Sequence, residues 1–221
     1  MRELIIFGVG EIACQVFQHI ILEKKYRVVA FTINKQYCSI SSLFGLPVVP
    51  FEELDILFPN KNYCILVCIG FNQMNKTRKN IFDMILEKGY EIIGYKHDTA
   101  TVLTKEVGLG NIILENVNIS IGCKIGNGNI FVNNSVVCHD VKMKDFNYVS
   151  PGSVVLGHAK IGSFCFLGAN STIKDNIIVD DYNLIGANAF VNKNTLKNDV
   201  YVPPKSYKLK KYSYEMIEHL Y

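Results

Sequence analysis

Val149-Ser150-Pro151-Gly152-Ser153-Val154-Val155-Leu156-Gly157-His158-Ala159-Lys160-Ile161-Gly162-Ser163-Phe164-Cys165-Phe166-Leu167 puts an aliphatic side chain at every sixth position: Val149, Val155, Ile161 and Leu167. The frame continues in both directions without a break. Backwards it passes Met143, Val137, Phe131, Ile125, Ile119 and Ile113 to Val107, and forwards Ile173, Val179 and Ile185 to Val191. Hydrophobic residues make up 49% of the chain, so chance produces fifteen such hits on the order of once in tens of thousands. Four residues beyond the anchors stand small or compact side chains: Cys123, Ser135, Ser153, Ala159, Cys165, Ser171 and Ala189. A six-residue period is the mark of a parallel β-helix, in which each short strand turns one aliphatic residue inward and three strands close a triangular coil. Val107 to Val191 then predicts roughly five coils. A β-sandwich would turn at about 8 to 12 residues and would not hold one frame so long.

Upstream the period changes. Leu4-Ile5-Ile6-Phe7 is a buried strand ending at Gly8, and a helical pattern runs from Glu11 to Glu23. Val28-Val29-Ala30-Phe31 and Tyr63 to Ile69 are further strands, Met74 to Lys88 is a second helix stopped at Gly89, and Glu91 to Tyr95 is a last strand. Strand and helix in alternation predict a parallel sheet with helices on its faces. The fold class expected is therefore α/β plus all-β. The domains expected are 1–96, 97–205, and a tail, 206–221, with a short helix over Tyr212 to Leu220.

Composition narrows the function. The chain has 221 residues, and 23 Lys+Arg against 20 Asp+Glu leave a formal charge of +3. That balance gives no reason to expect nucleic acid or an anionic membrane as partner. The longest apolar runs are strand-sized, and Met1-Arg2-Glu3 leads straight into one of them, so neither a membrane span nor a secretion signal is expected. Seven Cys are scattered with no CxxC pair, which suits free thiols in a reducing cytoplasm better than a disulfide framework or a zinc site. No metal is expected.

Two clusters carry chemistry. Phe7-Gly8-Val9-Gly10-Glu11-Ile12-Ala13 follows a strand and opens a helix, as a phosphate-binding turn does. The segment after the second strand, Phe31-Thr32-Ile33-Asn34, lacks the acidic residue that a dinucleotide enzyme uses on the ribose, so NAD is not expected. The second cluster is His139-Asp140. Because Val137 is an inward anchor, the pair runs from strand to corner on the outside of the coil. A neutral imidazole suits removal of a proton from an attacking amine or hydroxyl, and a carboxylate beside it fixes the tautomer.

With its glycine turn, its His-acidic pair inside the repeat and its Val202-Pro203-Pro204-Lys205 ending, in that order, the chain resembles a known family. This is the hexapeptide-repeat sugar acetyltransferases of the sialic acid O-acetyltransferase type, including N-acetyltransferases of nucleotide-linked bacillosamine and perosamine precursors. The resemblance spans Leu4 to about Lys205. It implies a Rossmann-like domain for the acceptor sugar nucleotide and a left-handed β-helix that trimerises, with acetyl-CoA between neighbouring helices. It further implies His139 as catalytic base with Asp140 as partner. Acetyl-CoA contacts would fall at Tyr148, Gly157, Ala169, Ala187 and Lys205, and acceptor contacts at Gly8, Gly10, Asn34, Gly70 and Asn72. Lys208, Lys210 and Lys211 could join Lys205 on CoA phosphates. Two positions depart from the family: Ile12 stands where many members carry a polar residue, and Tyr148 where a close relative places a His. The activity implied is acetyl transfer to the amino group of a nucleotide-linked sugar by a cytoplasmic homotrimer, for a surface glycan such as the O-antigen of lipopolysaccharide. The alternatives are O-acetylation of sialic acid or another sugar, another acyl-CoA donor, and a non-catalytic sugar-nucleotide-binding trimer. His97, at the domain junction, is expected to be structural, and His158, on a turn one coil after His139, could line the cleft, whereas His19 and His219 are expected on the surface.

Overall fold

In the computed structural model, residues 3–210, 212 and 213 are described. Lys211, His219 and most of the expected terminal helix, Tyr212 to Leu220, lie outside them. The N-terminal strands are β1 (Glu3–Phe7), β2 (Val28–Ile33), β3 (Ser42–Leu43), β4 (Leu46–Pro50), β5 (Tyr63–Val67) and β6 (Glu91–Ile92). They form one sheet in the order β3-β4-β2-β1-β5-β6. Every pairing is parallel except β3 with β4. β1 is apolar on both faces because both are covered. Leu4 and Ile6 pack with Ala13, Val16 and Ile20 of helix α1 (Glu11–Glu23). Ile5 and Phe7 pack with Ile81, Phe82 and Ile85 of the long helix Lys76–Glu87. Strand order reverses at β1, so the carboxyl ends of β1, β2 and β5 open one crevice, the usual place for a ligand in such a sheet.

The chain then hands over to the repeat. A single strand over Glu91–Tyr95 was expected; the structure instead breaks it at Gly94. Ile93 N–H donates to Ile65 O in the first sheet (3.0 Å), whereas Tyr95 N–H donates to Asn111 O in the β-helix (2.9 Å). A Cβ on Gly94 would stand 2.8 Å from Asn111 O, so only glycine lets the chain cross there. Strand Tyr95–Lys96 pairs with Ile112–Ile113 and starts the first coil.

From there the two-residue rungs stack into three parallel sheets of six, four and seven strands, the faces of a triangular prism. Interior rungs pair with the rung 18 residues away, as in Asn118↔Val136 and Lys142↔Lys160, whereas the end rungs pair at shorter spacings, as in Thr101↔Asn118 and Leu184↔Val200. Fourteen of the fifteen anchors are buried in one continuous cluster, and Val107, at the open end, packs partly against it. The compact residues four positions on are buried too. One column at that position is instead asparagine: Asn111, Asn129, Asn147 and Asn183, with Cys165 between the last two. Each Oδ1 of Asn111, Asn129 and Asn147 accepts the backbone N–H of the next coil's residue at 2.8 Å.

The α/β domain lies on the seven-stranded face. Ile112, Ile130 and Tyr148 turn outward from the coil and join the α1 core. His19, expected on the surface, belongs to this junction: its Nε2 lies 3.0 Å from Glu115 Oε1, and its ring meets His97 edge-on at 4.8 Å. The helix turns that face onto the β-helix rather than to water. Burial alone would push the Glu23 carboxyl up, but the Asp98 N–H, the Tyr95 hydroxyl and Lys25 outweigh it and hold it below the ordinary carboxylate range. Among the described residues, no helix is long and apolar enough to cross a membrane.

Candidate active site

The crevice at the carboxyl ends of β1, β2 and β5 is a cleft of ≈ 810 Å³ lined by Gly10, Ile12, Asn34, Gly70, Asn72 and Tyr148 among others. Gly10 caps α1 in extended conformation, and a Cβ there or at Gly70 would meet nothing within 4 Å. These two glycines leave open space for a ligand to approach backbone. Gly8 does something different. It does not line the cleft; its φ is +125°, and a Cβ would fall 2.6 Å from Cys68 O, so it allows the tight turn. The Asn34 amide points to Glu52 Oε1 at 3.5 Å, and Asn72 is exposed on the rim. Tyr148, expected to contact acetyl-CoA, stacks on Phe166 (5.5 Å) with Phe71 edge-on (5.1 Å) and lines this cleft. Burial raises its phenol, so it stays a neutral donor at pH 7.

Sequence reading missed what holds the cleft's rim. Arg78 on the long helix is fully buried and donates to four backbone carbonyls: Ile69 (3.1 Å) and Gly70 (2.7 Å) of the rim, and Gly128 (2.8 Å) and Asn147 (3.1 Å) of the β-helix. Burial draws the guanidinium down to about 9, still above neutrality, so it remains a cation. Nearby, Gln73, Met74 and Asn75 are three consecutive non-glycine residues with positive φ, a costly run fixed in part by the buried Asn75 amide donating to Cys165 O at 3.2 Å. An arginine on an amphipathic helix gives no sequence sign of such a role.

His139 and Asp140 lie on an edge of the prism. Neighbours on an extended segment point to opposite sides, but Asp140 has φ +59° and turns the corner. Its Oδ2 thereby comes within 3.0 Å of His139 Nδ1, with both side chains about half exposed. Nδ1–H donating to this carboxylate leaves Nε2 unprotonated and free to accept. Gly157 lies beneath the ring; a Cβ there would stand 2.8 Å from both Cε1 and Nε2. The backbone of Gly157, an expected acetyl-CoA contact, is thus next to the expected base.

His158 occupies the next corner up. Its N–H donates to His139 O (3.1 Å), its ring meets the His139 ring edge-on at 5.0 Å, and its Nδ1 is 4.0 Å from Asp140 Oδ2. Ligand atoms of His139, Asp140 and His158 lie within 4.8 Å of one another. Lys124, Lys142 and Lys160 line the same hollow as Asp140 and His158. Lys124 is paired with Glu106 at 2.9 Å, and positive charge beside the cluster works against a divalent cation.

Within one chain these features are not all together. The cleft lining includes neither His139 nor Asp140. Ala169 and Ala187 stack in a column on a different prism edge from Gly157, and the tail carrying exposed Lys205 leaves from that second edge, where Pro203 packs by Gly186.

Residues 158–193 match the family described as bacterial transferase hexapeptide (six repeats). Several solved structures share the architecture. The acetyltransferase domain of PglB from Neisseria gonorrhoeae superposes with TM-score 0.80 at 21% identity, covering 90% of this chain and 96% of that one. A mutant of perosamine N-acetyltransferase from Caulobacter crescentus, in complex with CoA and GDP-perosamine, superposes with TM-score 0.81 at 21% identity, covering 90% and 92%. WeeI from Acinetobacter baumannii gives TM-score 0.60 at 16% identity over 91% and 94%. No curated protein sequence matches. The chain therefore carries the transferase hexapeptide repeat. Its fold is that of these proteins, a left-handed β-helix behind a small α/β domain.

Proposed function

We propose that the protein transfers the acetyl group of acetyl-CoA to the amino group of a nucleotide-linked sugar. The observation that carries this is the His139–Asp140 corner lying over Gly157. His139 Nε2 accepts a proton from the sugar amine as its nitrogen attacks the thioester carbon. The C–N bond forms, the tetrahedral oxyanion lies by the Gly157 N–H, and the C–S bond then breaks to release the CoA thiolate. Asp140 stabilises the imidazolium until its proton passes to the thiolate or to water. The acceptor occupies the cleft of Gly10, Asn34, Gly70 and Asn72, its diphosphate toward the amino end of α1. Structural relatives crystallised with acetyl-CoA, or with CoA and GDP-perosamine, support both substrates. No metal takes part.

The cleft and the base are separate in one chain, and the small-residue column lies on yet another edge, so we assign the working unit to a homotrimer. There the His139 edge of one copy faces the cleft and the Ala169–Ala187 edge of the next. The product would enter a surface glycan made from cytoplasmic precursors. The test is CoA release from acetyl-CoA with UDP-, GDP- and dTDP-linked 3- and 4-amino sugars, beside free sialic acid, for wild type and His139→Ala. Turnover with one amino sugar, reduced about a hundredfold or more in the variant, is the expected result. Activity on sialic acid alone would transfer the reading to O-acetylation. Failure to bind any CoA ester would end the acyltransferase reading.

A further inference from the structure

The cleft that would take a nucleotide-linked sugar has no countercharge of its own. Among the described residues its lining holds no Lys or Arg, and its one ionisable carboxylate is Glu11. A diphosphate is an anion that calls for cations as well as a helix terminus. The cations stand elsewhere, beside the His139 edge. That edge separates two faces of unlike character. On one flank, the six-stranded face turns Asn118, Val136, Val154 and Thr172 outward in register, without a charge. On the other flank, the four-stranded face carries Lys124, Lys142 and Lys160 in register on parallel strands, about 4.8 Å apart. Like charges set opposite one another are destabilising, and only Lys124 is relieved, its Nζ lying 2.9 Å from Glu106 Oε2. Among the described residues Lys142 and Lys160 have no ion-pair partner, and both are exposed. They border a hollow of ≈ 620 Å³ that reaches the corner through Asp140 and His158. The one carboxylate in that lining, Asp140, is engaged by His139 Nδ1 at 3.0 Å.

We propose that Lys142 and Lys160 bind the diphosphate of the acceptor held in the cleft of the neighbouring copy. This rests on the proposed reaction and on the trimer. Both substrates carry a diphosphate, and length decides between them. In a nucleotide-linked amino sugar one ring separates the amine from the diphosphate. With the amine at His139 Nε2, its diphosphate must therefore lie close to the corner, where the two free ammonium groups stand. In CoA the whole pantetheine arm separates the sulfur from the diphosphate, so CoA phosphates lie far from the corner when the thioester is beside His139. The arm itself suits the flank of Val136 and Val154. The amino end of α1 in one copy and the two lysines of the next then hold one diphosphate from opposite sides. Neither copy supplies both halves of that site.

The experiment is calorimetric titration of the full-length protein with UDP, GDP and dTDP and, separately, with CoA. The proteins compared are wild type, the double variant Lys142→Gln/Lys160→Gln, its charge-keeping counterpart Lys142→Arg/Lys160→Arg, and Lys61→Gln. Lys61 is an exposed lysine at the amino end of β5, the opposite end of that strand from the cleft. The glutamine double variant should bind the preferred nucleoside diphosphate about tenfold more weakly, and its affinity should fall less steeply with added salt. The arginine pair should recover most of the loss, and Lys61→Gln should match wild type. CoA affinity should stay within about twofold throughout. Undiminished nucleotide binding in the glutamine variant, no recovery with arginine, or an equal loss for CoA overturns the inference while leaving the proposed reaction standing. A wild type that binds none of the three nucleotides counts against the proposed acceptor and takes the inference with it.

Discussion

A methyl group on Gly157 would meet the ring of His139 at 2.8 Å. The backbone at Gly157 is not in the left-handed region, so alanine fits the turn and the conflict lies only with the imidazole. Gly157→Ala should keep its melting temperature near that of wild type while kcat drops about tenfold to a hundredfold, because the base is displaced by a fraction of an ångström to an ångström. Thermal melting measured beside turnover separates the two effects. At this scale the His139-Asp140 pair could be read from residue type and from its offset to Val137. The meeting of the His158 and His139 rings could not, because it depends on coils stacking 18 residues apart.

Among the elements, the rungs were the most legible, since a buried anchor every six residues is a property of the linear pattern alone. The asparagine column was harder to see. Polar residues in an otherwise compact position look like exceptions until stacking makes them serial partners. Cys165 is the one substitution in that column between Asn147 and Asn183: its thiol reaches Asp180 O at 3.2 Å, and burial pushes it up to about 12. Cys165→Asn would replace a weak sulfur donor with an amide at a site whose neighbours above and below already hold asparagine. It should stabilise the protein by about 1 kcal/mol, a rise of about 2–4 °C in melting temperature, measurable by calorimetry. The strand expected over Glu91–Tyr95 failed for a related reason. Its apolar pattern is continuous, but its hydrogen bonds belong to two different sheets, and pattern does not reveal partners.

For the molecule as a whole, one guanidinium bridges the α/β domain and the prism. Arg78 bonds two carbonyls on each side, so its loss leaves buried acceptors unpaired in both. Arg78→Met should cost about 3 kcal/mol or more, on the order of 10 °C in melting temperature. Because Gly70 is released, binding of a nucleotide sugar in the cleft should weaken as well; calorimetric titration checks this. A buried cation of this kind reads in sequence like any solvated residue on a helix. The 18-residue stacking has its own consequence for descent. Between the end coils, a gene encoding this prism keeps every anchor in frame only when it gains or loses whole coils. Removing one residue would turn every later anchor from the interior to the solvent, whereas a duplicated coil placed beyond the one that carries Gly157 and His158 would lengthen the prism and leave the corner chemistry in place.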